Sequence, residues 1–169
     1  MAGRPLISYP LAVLREAGLE AVVVAKQRSE LPELSCAVHR EPTAPTHPLC
    51  GIIAALRFGA GRPVVVVGCD MPLVPALLLA WLAGLHGLVV PQVDGRLEPL
   101  LARYEPSHLG ALESAMRSEL PMSEAIASLK PRIVGAAELE RFGDPRRACF
   151  SVNDRVDLAL AERWLARAG

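Results

Sequence analysis

What this sequence lacks first is net charge: 18 lysines and arginines are balanced by 18 aspartates and glutamates. A chain without a positive field is poorly suited to nucleic acid or an anionic membrane, so a small molecule is the expected partner. Lysine is scarce too, with Lys26 and Lys130 standing beside a majority of arginines. No Cys-x-x-Cys pair occurs among Cys36, Cys50, Cys69 and Cys149, and these four read as reduced and structural. Cys36 and His39 lie close in sequence, but in the strand-like "CAVH" an odd offset points them to opposite faces, against a shared metal. The opening "MAGRPLISYP" has no basic segment leading into an apolar core and a cleavage site, so nothing marks export, and the expected compartment is the cytoplasm. Gly-x-Ser-x-Gly, His-Glu-x-x-His and P-loop sequences are absent, which leaves hydrolase and zinc readings without support. Repeats, low-complexity runs and linkers are absent as well.

What the sequence does have is apolar pattern. With 51% hydrophobic residues in 169, it can bury one core, and a single domain is expected. "EAVVVAK" (20–26), "PVVVVGC" (63–69) and "GLVVPQV" (87–93) are short valine-rich runs, as in strands buried on both faces. Between them "LCGIIAALRFG" (49–59) and "VPALLLAWLAG" (74–84) carry helical spacing and end in glycine. This alternation predicts an α/β fold with a mostly parallel sheet. Residues 71–93 carry no charged side chain, a length that could span a bilayer. Pro72, Pro75, Gly84, Gly87 and Pro91 instead break the run into a helix, a turn and a strand. Further on, "DGR" (94–96) is a turn signal and "PSHLGALESAMR" (106–117) and "SEAIASLK" (123–130) read as helices. "PRIVGA" reads as a strand and "VDLALAERWLARA" (156–168) as a closing helix. Ser8 is a candidate cap for a first helix with Pro10 in its first turn and a stop at Gly18.

In an open α/β sheet, ligands bind beyond the carboxyl ends of the strands. Asp70 sits there, after the most apolar run, and the Met71-Pro72 that follows forces an extended turn. A lone carboxylate at that rim suits a hard cation such as magnesium; equally, Asp70 could cap the helix beginning near residue 74. In "REPTAPTHPLCG" (40–51) a proline-rich loop feeds a helix N-terminus, where backbone N–H groups can meet an anion and Gly51 permits close approach. His47 in that loop reads either as a ligand contact or as a backbone-bonded residue. Lys26, at the end of its strand, could meet a phosphate or be an ordinary exposed residue. Asp154 reads as a cap for the last helix, and Asn153 is only partly explained that way.

Several segments then fall together in order. "GRPLISYPLAVLREAGLEAVVVAK", "HPLCGIIAAL", "VVVVGCDMPLVPALL", "GRLEPLLARYEPSHLGALESAM" and "SVNDRVDLALAERWL" resemble the MobA-like nucleotidyltransferases, especially molybdenum cofactor guanylyltransferases. The resemblance implies a Rossmann-like three-layer nucleotidyltransferase fold with helices on both faces of the sheet. It implies transfer of GMP from GTP to molybdopterin with Mg2+ and release of pyrophosphate. Under it, Asp70 matches the catalytic and metal-binding aspartate, and Glu41 falls about where an acidic residue contacts the nucleotide. Lys26, Pro48 and Gly51 fall on the nucleotide side, and Asn153 matches the second asparagine of an Asn-x-Asn-Thr-Pro segment on the cofactor side. Implied partners are GTP, molybdopterin and, more remotely, molybdoenzyme maturation proteins. A cytidylyltransferase, another MobA-like transferase, or a non-catalytic family remnant acting in molybdoenzyme maturation is the alternative.

The departures are specific. Family members open with a strand and a glycine-rich phosphate loop, and no such segment stands before "GRPLI". Ser151 replaces the first asparagine of the late motif, and Asp154-Arg155 replaces its Thr-Pro. The expectation is an N-terminally truncated domain, lacking its first strand and phosphate loop, whose 169 residues alone bind GTP weakly or not at all. Low-micromolar GTP affinity with magnesium would overturn that expectation.

Overall fold

The structure, a computed structural model, describes residues 1 and 3–166. The valine-rich runs become strands where expected: β1 (Val22–Lys26), β3 (Val64–Val67) and β4 (Val89–Val93). The helical runs become α1 (Ser8–Glu16), α2 (Leu49–Phe58) and α3 (Ala76–Ala83). β2 (Ala37–Glu41) lies between β1 and α2; beyond β4 come β5 (Arg96–Leu97), β6 (Leu101–Tyr104), α4 (Leu109–Arg117) and α5 (Met122–Ser128). The chain closes with β7 (Arg132–Val134), the short α6 (Ala136–Leu139) and α7 (Pro145–Ala148), and α8 (Arg155–Ala166). Positions 167 and 168 of the expected closing helix lie outside the described residues.

The strands form two sheets. β1 and β2 pair in parallel. β3, β6, β4 and β5 follow in that order, with β7 parallel to β4. β6 runs antiparallel to both β3 and β4, so those two share a direction. The α/β class therefore holds, with β3, β4 and β7 running one way and β6, inserted between β3 and β4, and the short β5 running the other. Asp94 (φ 50) and Gly95 (φ 78) take up the left-handed turn that joins β4 to β5, as "DGR" predicts.

Alternation along β3 divides the core. Val65 and Val67 face one cluster, built on Leu78, Leu79 and Leu82 of α3 with Val13 and Leu14 of α1. Val64 and Val66 face the other, built on Leu49, Ile52 and Ile53 of α2 with Leu112 of α4 and Ile126 of α5. Helices thus cover both faces of the sheet, giving three layers. Among the described residues no helix is long and apolar enough to cross a membrane. The uncharged stretch from Met71 onward is divided between α3 and β4, and Leu79 and Leu82 are fully buried.

The first helix corrects one expectation. Ile7 occupies its N-cap, and Ser8 is the first helical residue, whose hydroxyl donates to the Pro5 carbonyl at 2.7 Å. The stop at Gly18 is as expected, with φ at 73.

Tyr104 shows how the reversed strand is fixed. It is fully buried, and its hydroxyl donates to the Pro99 carbonyl at 2.8 Å. Tyr104→Phe leaves that carbonyl without its donor, and we expect a loss of about 1–2 kcal/mol, read as a lower urea midpoint with unchanged slope.

Candidate active site at the rim of the sheet

Asp70 lies just past the carboxyl end of β3. The strand is held to its end by Gly68 N–H donating to Leu100 O at 2.7 Å, and the chain then turns, with Met71 N–H donating to Gly68 O at 3.2 Å. Met71 is only 1% exposed and anchors the turn in the core. The Asp70 carbonyl accepts from Val152 N–H at 2.8 Å, which brings the segment carrying Asn153 to the same rim. Glycine at 68 leaves room for the carboxylate, because a Cβ would sit 2.5 Å from Asp70 Oδ1 and 3.2 Å from Met71 Cγ. Gly68→Ala should displace the carboxylate. Since misplacement of about 1 Å at a reacting centre can cost about 100-fold in rate, we expect a loss of that order in kcat with a small change in melting temperature.

Among the described residues, the Asp70 carboxylate accepts no hydrogen bond and forms no ion pair. The capping alternative has no geometry behind it: α3 starts at Ala76, its N-cap is Pro75, and no side chain caps it. A half-buried carboxylate without a protein partner has to be satisfied by water, a cation or a ligand.

Beside it lies a carboxylate that the sequence pattern did not single out. Glu98 lines a cleft of about 440 Å³ together with Arg96, Arg146, Cys149, Asn153 and Asp157. Burial holds its pKa above the ordinary range; Arg96 opposes that shift and the negative charge of Asp70 adds to it. The only earlier sign was its place at the head of "EPLLARY", one of the segments that carry the family resemblance. Asn153 donates from its backbone N–H to Asp157 Oδ2 at 2.9 Å and from Nδ2 to Ser151 O at 3.2 Å. Asp154 is a cap, as expected, its Oδ1 accepting from Val156 N–H at 2.7 Å and Asp157 N–H at 2.9 Å.

The other candidates gather at the ends of β1 and β2. Lys26 and Glu41 are register partners, and Lys26 Nζ lies 3.0 Å from Glu41 Oε1 while donating to Pro45 O at 2.8 Å. Lys26 is therefore neutralised by its neighbour and tied to the proline-rich loop. Pro48 is the N-cap of α2. His47 is the clamp of this loop: Nδ1 accepts from Leu49 N–H at 3.2 Å, and the opposite ring nitrogen lies 3.0 Å from Leu120 O. Gly51 stays open, since a Cβ there would meet nothing within 4 Å. Among the described residues no hydrogen bond or ion pair joins the Lys26–Glu41 group to Asp70, Glu98 and Asn153.

The donor chemistry at Asp70 fits magnesium. Among the described residues no group of three or more His, Cys, Asp or Glu side chains could hold a metal, which excludes an all-protein cage there. One or two carboxylates with the remaining positions left to water and phosphate oxygens is the arrangement that magnesium accepts.

The cysteines are free; Cys50 and Cys149 are buried, Cys36 is partly exposed, and Cys69 is exposed next to Asp70. Burial, assisted by Glu98, pushes the Cys149 thiol up to about 12. Because the thiolate is the nucleophile, iodoacetamide at pH 8 should modify Cys149 at least about 100-fold more slowly than Cys36, as read by peptide mass spectrometry.

Comparison with known proteins accords with this geometry. Residues 1–132 match the family model described as MobA-like NTP transferase domain. A relative from Opitutus terrae, named probable molybdenum cofactor guanylyltransferase, is 33% identical over 159 residues, covering 84% of this chain and 76% of that protein. The crystal structure of molybdopterin-guanine dinucleotide biosynthesis protein A from Archaeoglobus fulgidus superposes with a TM-score of 0.78 at 25% identity, covering 99% of this chain and 88% of that one. The 2-C-methyl-D-erythritol 4-phosphate cytidylyltransferase of Thermus thermophilus shares the fold, with a TM-score of 0.70 at 22% identity over 98% of this chain and 90% of that one. With most of its length matched and its layers shared with solved relatives, the chain belongs to the MobA-like NTP transferase domain family and is a nucleotidyltransferase.

Proposed function

We propose that this nucleotidyltransferase is a molybdenum cofactor guanylyltransferase, acting as one domain on GTP and molybdopterin. The observation that carries the reading is Asp70: a carboxylate at the sheet rim that no group among the described residues satisfies, in a chain similar to proteins bearing that name. In the reaction a phosphate oxygen of molybdopterin forms a bond to the α-phosphorus of GTP. The bond from that phosphorus to the β-phosphate bridging oxygen breaks, and pyrophosphate leaves with the electron pair.

Little covalent chemistry falls to the protein in such a transfer, and alignment and charge neutralisation dominate. Magnesium, held by Asp70 with Glu98 beside it, would supply positive charge against the phosphates. Gly68 sets the direction of the Asp70 carboxylate, and the Val152 bond to its carbonyl keeps Asn153 at the same rim for the acceptor. The open first turn of α2 at Pro48 and Gly51, beside Lys26 and Glu41, is the proposed nucleotide side. Pyrophosphate release by the full product of the gene, with magnesium and molybdopterin, tests the nucleotide. GTP should support release at least about tenfold faster than CTP, and the reverse order would replace this reading with the cytidylyltransferase one.

A further inference from the structure

The loop ahead of α2 is held from three directions. Lys26 Nζ, at the end of β1, donates to Pro45 O at 2.8 Å, and Cys50 Sγ, in the first turn of α2, donates to the same carbonyl at 3.4 Å. Two residues on, the His47 ring spans from Leu49 N–H to Leu120 O, in the connection between α4 and α5. Leu120 is a fixed anchor, since its own N–H donates to Ala115 O at 3.0 Å and its side chain packs against the cluster formed by α2, α4 and α5. The loop is therefore a strap between the two-stranded sheet and the helical layer.

The two ends of the ring call for one tautomer. A backbone N–H only donates, so Nδ1 carries a lone pair; a carbonyl only accepts, so the proton sits on the other ring nitrogen. A single neutral imidazole meets both demands. His47 also accepts, through its own carbonyl, from Cys50 N–H at 3.0 Å. Pro48 has no N–H, and those of Leu49 and Cys50 are thus both taken by His47. Among the described residues the next, from Gly51, makes no hydrogen bond. Gly51 is the first open donor of α2, and it has no side chain to screen it.

We propose that His47 is a positioning residue for the nucleotide, holding the first turn of α2 against the α4–α5 connection so that the Gly51 N–H meets an acceptor oxygen of a nucleoside triphosphate. The proposal rests on the reading above that puts the start of α2 on the nucleotide side. His47 acts through the helix rather than on the ligand, and neither end of the clamp suffices alone. The bond to Leu49 ties the ring to the helix, and the bond to Leu120 ties the ring to the rest of the molecule. Two substitutions separate these ends. His47→Asn keeps an acceptor close to the place of Nδ1 but is too short to reach Leu120. His47→Gln keeps an N–H donor close to the far ring nitrogen but offers Leu49 no acceptor.

The test is steady-state pyrophosphate release, with magnesium and molybdopterin, by the full product of the gene and its His47→Asn, His47→Gln and His47→Ala variants, on GTP and CTP in parallel. KM for the preferred nucleotide should rise about five- to tenfold in all three, because each loses at least one bond of the clamp, while kcat and KM for molybdopterin stay within about twofold. A fall in kcat at unchanged KM is what a smaller folded fraction gives, and would overturn the proposal. So would a wild-type KM in His47→Asn, which would reduce the residue to a local cap of α2, or in His47→Gln, which would leave the Leu49 bond without a role. An unchanged KM in His47→Ala, or an equal rise in KM for molybdopterin, would overturn it as well. A parent enzyme that prefers CTP would replace the guanylyl reading while the same KM ratios, taken with CTP, decide for or against the clamp. A parent that turns over neither nucleotide would overturn both.

Discussion

Asp70→Asn should lower kcat/KM for nucleotidyl transfer by about 100- to 10,000-fold in the full product of the gene, equivalent to about 2.7–5.4 kcal/mol of transition-state stabilisation. The substitution keeps the shape and removes the charge. Because no protein donor holds the carboxylate among the described residues, folding stability should change by less than about 0.5 kcal/mol. The effect should fall on kcat more than on KM for molybdopterin, since the lost interaction is made with the reacting phosphates. Asp154→Ala is the contrasting case. Its Oδ1 accepts two backbone N–H groups at the start of α8, and losing that cap should cost about 1 kcal/mol of stability. If Asp70→Asn lost less than about threefold in kcat/KM, Asp70 would not be at the reacting centre.

The second large effect is one of packing. Leu79→Ala should destabilise the protein by about 2–5 kcal/mol, because the side chain is fully buried in the cluster under α3 and its loss leaves a cavity. Two residues earlier, Leu77 is 72% exposed, and Leu77→Ala should cost less than about 0.5 kcal/mol. Urea unfolding of both variants checks the pair. Equal costs would mean that α3 is not oriented in the three layers as described.

That contrast also shows how far the sequence could be read. "ALLLAWLA" is apolar all round, so its helical character was plain while its inward face was not; only packing against α1 and β3 decides between Leu77 and Leu79. β1, β3 and β4 were legible because short runs rich in β-branched valine, bounded by glycine or proline, favour strand over helix. β6 was not, because Arg103 lies inside it. The arginine is buried by donating to Gly87 O and pairing with Glu105, partners that a pattern of apolar positions does not reveal. α6 and α7 span four residues each, too short for a 3.6-residue period to register.

The site divides in the same way. Asp70 was visible as a charge at the end of a buried run, and the missing cap geometry at α3 now favours one of its two readings. Lys26 and Glu41 were each found singly; that they neutralise one another depends on the register of β1 with β2. His47 reaches Leu120, and Glu98 meets the field of Asp70, through contacts between segments far apart in the chain. Local pattern carries no information about such pairs.

The most direct measurement follows the α-phosphorus. GTP labelled at the α-position is incubated with magnesium, molybdopterin and the full product of the gene, and the products are separated. The account predicts label in a dinucleotide form of the cofactor, with unlabelled pyrophosphate released in equal amount. Label that stays in GTP, or that appears in GDP while inorganic phosphate is released, would contradict it.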